Sequence, residues 1–127
     1  MIYLTSFSQP NLEKLFDKGA GELKKHNYKE AIKIFVDLIP KTNDIEMKKL
    51  CYVYRAFSYN GLGEFNKSIA DLDTAITIDP VDIASYIARG KTKGYIEDVA
   101  GAAKDFEYVL TGTAPLNKAK PHYTIWD

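Results

Sequence analysis

Three times along this chain a small residue is followed twelve positions later by Ala or Ser, and four further on by a large apolar residue. Gly19 leads to Ala31 and Phe35, Ala56 to Ser68 and Leu72, and Gly90 to Ala102 and Phe106. The second and third copies are 34 residues apart (Ser68 to Ala102), and the first and second 37 (Ala31 to Ser68). Such a period marks a supersecondary unit that buries its apolar face by stacking on its neighbours. Small residues at matching offsets also imply close helix crossings, where β-branched or aromatic side chains would overpack the pair at about 1–3 kcal/mol.

Each copy divides into two helices. From Asn11 to about Lys25 the residues Leu12, Leu15, Phe16, Ala20 and Leu23 recur at three and four, an amphipathic helix whose first turn suits Pro10. His26-Asn27 makes a turn. The second helix runs from Tyr28 to about Ile39, with Ala31, Ile32, Phe35, Leu38 and Ile39 on one stripe and Pro40 helping to end it. Asn43-Asp-Ile-Glu46 has the form of a capping box and opens a third helix, which Gly61-Leu-Gly63 breaks. A fourth spans about Phe65 to Ile78 and is closed by Asp79-Pro80. Asp82 caps a fifth, to about Tyr95, and Asp98 a sixth, ending near Leu110 before Thr111-Gly112-Thr113. Pro115 and Pro121 make 114–127 an extended tail. The expectation is an all-α chain of six helices in three antiparallel pairs. Tyr28, Phe65 and Val99 fill the space beside the turns. Phe35, Leu72 and Phe106, with Leu38, Ala75 and Val109, pack back on the first helices.

A period of 34 built from helix–turn–helix units resembles the tetratricopeptide repeat (TPR), with its pattern W-x₂-L-G-x₂-Y…A-x₃-F…P. The resemblance covers about 12–116 as three repeats (about 12–45, 49–82 and 83–116), with 1–11 as an N-terminal extension and 117–127 as a C-terminal tail. The fit is uneven. Leu15, Tyr52 and Tyr86 stand at the family's Trp position, Lys18, Arg55 and Arg89 at its Leu, and Glu22, Tyr59 and Lys93 at its second aromatic. The closing Pro is present only at Pro80, with Asn43 and Ala114 elsewhere.

The resemblance implies a TPR-like right-handed α-solenoid that acts as a protein–protein interaction module, an adaptor or scaffold. Its first helices line a concave groove for a peptide or partner helix. Carried onto this chain, the groove positions are Glu13, Phe16, Asp17, Ala20 and Lys24 in the first pair, then Leu50, Val53, Tyr54, Phe57 and Asn60 in the second. Ala84, Ile87, Ala88, Lys91 and Tyr95 follow in the third. The partner-binding set is Phe16, Ala20, Val53, Tyr54, Phe57, Asn60, Ile87, Lys91 and Tyr95, a groove more aromatic than charged. One TPR subclass clamps chaperone C-terminal carboxylates with Lys, Asn and Arg. The matching positions here, Phe16, Ala20, Tyr54, Ala84 and Ala88, offer no charged donor, so chaperone tails are expected to be poor partners.

The alternative is a self-assembling structural subunit. Solenoids end in a polar capping helix, and none follows the sixth helix. Tyr123, Ile125 and Trp126 of the tail would cover the open end near Phe106, Val109 and Leu110, or join copies of the chain into a homo-oligomer.

Composition narrows the classes further. Hydrophobic residues make up 46% of the 127, ample for one core, and 17 Lys and Arg balance 17 Asp and Glu. Without net charge there is no overall attraction to nucleic acid or anionic lipid. No stretch approaches the roughly 20 apolar residues of a membrane span, and the N-terminus reads poorly as a signal peptide. The single Cys51 makes no internal disulfide, which permits a reducing, cytoplasmic setting. No cofactor, metal or catalytic residue is expected. His26 and Glu30 straddle a turn without a third ligand, Cys51 has no nearby His, and Gly61-x-Gly63 is a turn rather than a phosphate loop. Asp71 and Asp73 are expected on a solvated outer face.

Overall fold

The structure, a computed structural model, describes residues 2–112, with side chains from residue 11 onward. Six helices follow one another: α1 (Ile2–Lys24), α2 (Tyr28–Leu38), α3 (Ile45–Gly61), α4 (Phe65–Ile78), α5 (Ile83–Tyr95) and α6 (Val99–Thr111). A 3₁₀ turn, Ile39–Lys41, holds Pro40 between α2 and α3. No strand occurs among the described residues. α1 packs on α2, α3 on α4 and α5 on α6, while α2–α3 and α4–α5 contacts stack the pairs into an all-α solenoid.

The small residues sit at the crossings. A Cβ added to Gly19 would lie 2.8 Å from Phe35 Cζ, and one added to Gly90 would lie 2.7 Å from Phe106 Cε1. Ala31, Ala56, Ser68 and Ala102 are buried. One core joins Ala31, Phe35, Leu38, Met47 and Cys51; a second joins Val53, Ala56, Leu72, Ala75 and Ala88.

The turns repeat in the backbone as well. His26 (φ 67°), Gly63 (φ 77°) and Glu97 (φ 62°) occupy equivalent left-handed positions. The next residue's N–H then bonds back to the helix it has left: Asn27 to Glu22 O (2.8 Å), Glu64 to Tyr59 O (2.9 Å) and Asp98 to Lys93 O (2.8 Å). This is the six-to-one bond of a Schellman ending, which satisfies carbonyls the helix leaves open. Only the second turn uses the residue without a Cβ penalty, which is why the recurrence is hard to see in side-chain types.

Four expectations are corrected. The first helix begins at Ile2, so Pro10 lies inside it; proline's fixed φ is helical, and it forfeits one backbone rung there. Asp44 rather than Asn43 caps α3: its Oδ1 accepts from the N–H of Glu46 (2.9 Å) and Met47 (3.3 Å), and Thr42 Oγ1 accepts from Asp44's own N–H. Asp82 stands at the start of α5 but accepts from Ser85 Oγ (2.6 Å) and makes no backbone cap. Asp98 does cap α6, through Gly101 N–H at 2.9 Å.

The fourth correction is Val99. The ring of Tyr28 lies where a Cβ on Gly61 would stand, and Phe65 packs 5.2 Å from Tyr95. Each thus seals against the end of the next repeat's first helix. Val99, in the same register, is 73% exposed. The chain after Gly112 lies outside the described residues, and with it Tyr123, Ile125 and Trp126.

Candidate functional site

A run of aromatic rings leads from the first core to the surface of the first helices. Phe16 packs edge-on to Phe35 at 5.5 Å and lies 5.0 Å from Tyr54, and Tyr54 lies 5.9 Å from Phe57. The inner rings are partly spent on packing; Phe57 remains 38% exposed. Beside it, between α1 and α3, a hollow of about 490 Å³ is lined by Asp17, Ala20, Gly21, Leu23, Lys24, Tyr54 and Phe57. Nothing lies within 4 Å of where a Cβ of Gly21 would be, so the floor is open.

A second hollow, also about 490 Å³, lies where the helix-pair turns line up. Leu23, His26, Tyr28, Phe57, Asn60, Gly61, Phe65 and Tyr95 line it. Asn60 donates through Nδ2 to Thr92 Oγ1 (3.0 Å), and Thr92 in turn donates to Ala88 O (2.9 Å). Asn60 Oδ1 is buried with no hydrogen-bond partner.

The nine residues expected to bind a partner are thus divided. Ala20, Tyr54, Phe57, Asn60 and Tyr95 line the two hollows. Phe16 is half-buried behind Tyr54 and Phe35. Val53 belongs to the second core, 6% exposed, and is corrected from groove to interior. Its position on α3 turns it toward Leu72 and Ala88 rather than outward. Ile87 is half-buried and Lys91 exposed, and neither lines either of these two hollows. At the far end Phe106 rests against Gly90, Val109 is half-buried, and Leu110 is 84% exposed.

Sequence reasoning missed the polar framework behind the groove. Asp71, expected on a solvated face, is buried. It accepts two hydrogen bonds from Arg55, Nε at 2.8 Å and Nη2 at 2.7 Å. Arg89 repeats the arrangement on Asp105 (2.9 and 2.6 Å) and reaches exposed Asp73 with Nη1 at 2.9 Å. Burial of Arg55 works against its charge, but the hydrogen bond to Asp71 is the larger influence and raises its pKa. For Arg89 burial is the largest single influence and opposes the charge; the Asp105 and Asp73 contacts together outweigh it, so its pKa too is raised. The signal was present: Arg and Asp recur sixteen apart at 55/71 and 89/105. It is invisible to a reading confined to i, i+3 and i, i+4 neighbours. The first repeat carries Lys18 and Ile34 in those places.

Cys51 is fully buried in the first core, and that burial pushes its thiol up to about 12, Arg55 only partly opposing it. It is a packing residue, since a reactive cysteine requires a thiolate near neutral pH. Among the described residues no three His, Cys, Asp or Glu side chains gather as a metal site. Among them, too, no helix is long and apolar enough to cross a membrane.

No protein-family model matches the chain. Among solved structures it is similar to the second TPR of Spaghetti (RPAP3) bound to the HSP90 peptide SRMEEVD. The two are 22% identical over 85% of this chain and 91% of that one, with a TM-score of 0.73. PcrH in complex with the chaperone binding region of PopB is similar at 17% identity, covering 87% and 88% with a TM-score of 0.74. The Arabidopsis OM64 TPR domain is 26% identical over 84% and 85%, with a TM-score of 0.71. The expectation that chaperone tails are poor partners is not borne out by this set, in which the Spaghetti domain holds an HSP90 peptide. That expectation weighed five side chains alone, whereas Lys24 and Lys91 also stand exposed on first helices. Period, crossings, turns and structural likeness agree: this chain has a TPR-like helical-repeat fold.

Proposed function

We propose that this chain is a protein-interaction module that receives an extended or helical segment of a partner along the concave side of α1, α3 and α5. The observation that carries this reading is the hollow between α1 and α3, with Ala20 and Gly21 as its floor and Tyr54 and exposed Phe57 as its wall. An aromatic wall supplies apolar area to bury, and Asp17 and Lys24 at the rim provide charges of both signs. Neighbours of the same fold holding a peptide or a partner's region support it. Phe57→Ala is expected to weaken the cognate complex about tenfold or more, as loss of a partly buried aromatic anchor does, without unfolding the chain. Affinity capture from source lysate, comparing wild type with Phe57→Ala and Ala20→Glu by mass spectrometry, identifies the partner. Equal recovery by all three proteins would remove the groove from the proposal.

A second reading is favoured by α6. Val99, Ala103, Phe106 and Leu110 form one exposed stripe at helical spacing. Under this reading the stripe joins copies of the chain, with residues 117–127 contributing. Solution mass is then expected to fall to that of a monomer on Leu110→Glu or on removal of 117–127. A wild-type chain that is already monomeric at high concentration dismisses the second reading.

A further inference from the structure

We propose that the exposed stripe of α6 is the seat of this chain's own C-terminal segment, with Tyr123, Ile125 and Trp126 packed on Val99, Phe106 and Leu110. The inference does not rest on the partner-binding groove. It competes with self-assembly for the same surface, and the two give different answers on dilution.

The stripe is marked as a docking face by its own counterparts in the chain. Phe106 stands in the register of Phe35 and Leu72, which are 0% exposed, yet it is 37% exposed. Leu110 (84%) is exposed where Ile39 and Ile76 are half-buried, and Val99 (73%) where Tyr28 and Phe65 are half-buried. In the first two repeats the following helix supplies the cover: α3 lies against α2, and α5 against α4. Among the described residues no element follows α6.

The exit of α6 favours a segment that returns. Gly112 ends the helix at φ 73°, the left-handed value of His26, Gly63 and Glu97. At those three positions the chain doubles back along the helix it has just left. Residues 113–127 can span up to about 50 Å, while the stripe from Leu110 to Val99 is about 16 Å long. The large apolar residues of that segment are Leu116, Tyr123, Ile125 and Trp126, the last three close together in sequence.

A second copy fits this face less well. Stacked head to tail, it would offer α1 in the role of α3. Where α3 brings Met47, Cys51 and Tyr54 to the first core, α1 has Pro10, Lys14 and Asp17 in register. Lys14 and Asp17 are exposed charges, which an apolar face would desolvate. Pairing α6 with its counterpart in a second copy would bury the stripe alone, about a few hundred Å² per chain against the roughly 800 Å² of a stable partner surface. A tethered segment needs less area. Its effective concentration is in the millimolar range, so a contact too small to hold a second copy or a separate peptide still holds the tail.

Trp126 is the chain's one tryptophan, so its fluorescence reports its own surroundings. The test is emission and acrylamide quenching of the full chain, excited at the red edge where tyrosine does not absorb. Trp126 is expected to emit to the blue of the denaturant-unfolded chain and to be quenched less. Both properties are expected to persist through about a hundredfold dilution, as an intramolecular contact does. Leu110→Glu and Val99→Glu each place a charge on the stripe at an exposed position, so the fold is kept, checked by circular dichroism. In each, Trp126 emission and quenching are expected to move to the values of the unfolded chain. A wild-type Trp126 as open to quencher as in denaturant overturns the proposal. Shielding lost on dilution assigns the stripe to a second copy, and shielding unchanged in both folded variants seats the tail elsewhere; either also overturns it. Failure of the groove is read separately, from Ala20→Glu in partner capture.

Discussion

Gly19 and Gly90 occupy equivalent crossings but face neighbours with different room to move. A methyl at Gly19 would meet Phe35 Cζ at 2.8 Å and Ile34 Cγ2 at 3.0 Å, and Phe35 is fully enclosed. A methyl at Gly90 would meet Phe106 Cε1 at 2.7 Å and Cζ at 2.9 Å, but that ring is 37% exposed where Phe35 is enclosed. Alanine gains about 1 kcal/mol over glycine in a helix, while overpacking costs about 1–3 kcal/mol. Gly19→Ala is therefore expected to lower stability by about 1–2 kcal/mol, and Gly90→Ala to leave it unchanged within about 0.5 kcal/mol or raise it. Urea denaturation of the two variants checks this; equal losses would show that the third crossing is as tightly packed as the first. At this scale the small residues were legible in the sequence, because their spacing repeats. Which of them is enclosed was not, since that depends on what covers the opposing ring.

Between elements, the pairs within repeats two and three are joined by buried arginine–aspartate bridges from α3 to α4 and from α5 to α6. The Asp105 side chain is only 1% exposed, so losing Arg89 leaves its carboxylate with Lys93, at 3.4 Å, as the remaining ion-pair partner among the described residues. Removing one partner of a buried pair costs about 3–5 kcal/mol. With Lys93 remaining, Arg89→Ala is expected at the lower end, about 3 kcal/mol. Replacing both partners, Arg89→Met with Asp105→Leu, is expected to recover most of that loss, since well-packed apolar residues substitute for buried ion pairs at little cost. A double-mutant cycle by chemical denaturation measures the coupling, and additive losses would show that the bridge does not act as a unit. The helices themselves follow from apolar periodicity and turn residues. The bridges, and with them the misplacement of Asp71, became visible only once antiparallel packing set residues sixteen apart side by side.

Across the whole molecule, Lys49 ties the second repeat to the turn that opens the third. Its ammonium, in a side chain 6% exposed, lies 3.1 Å from Asp79 Oδ2, 3.1 Å from Glu46 Oε2 and 3.7 Å from Asp82 Oδ1. Burial opposes the charge, but the hydrogen bonds to Asp79 and Glu46 and the nearby Asp82 outweigh it and raise the pKa above the ordinary lysine value of 10.5. A lysine pKa raised by folding gives stability that is fully present below the unfolded value and is lost as pH climbs through the folded one. Stability is thus expected to fall above about pH 10.5, and to fall less in Lys49→Arg, whose charge persists there. Denaturation midpoints at pH 9 and pH 11.5 test this, and identical alkaline losses in both proteins would discount the Lys49 cluster. What the sequence by itself determined was the helices, their pairing and the period, because local spacing and small residues specify them within a single unit. Only the tertiary structure decided that Val53 and Asp71 are interior, that Val99 is exposed, and that rings from separate repeats line one hollow with Asn60. Those outcomes depend on which remote segment packs against a residue, and no local pattern encodes that.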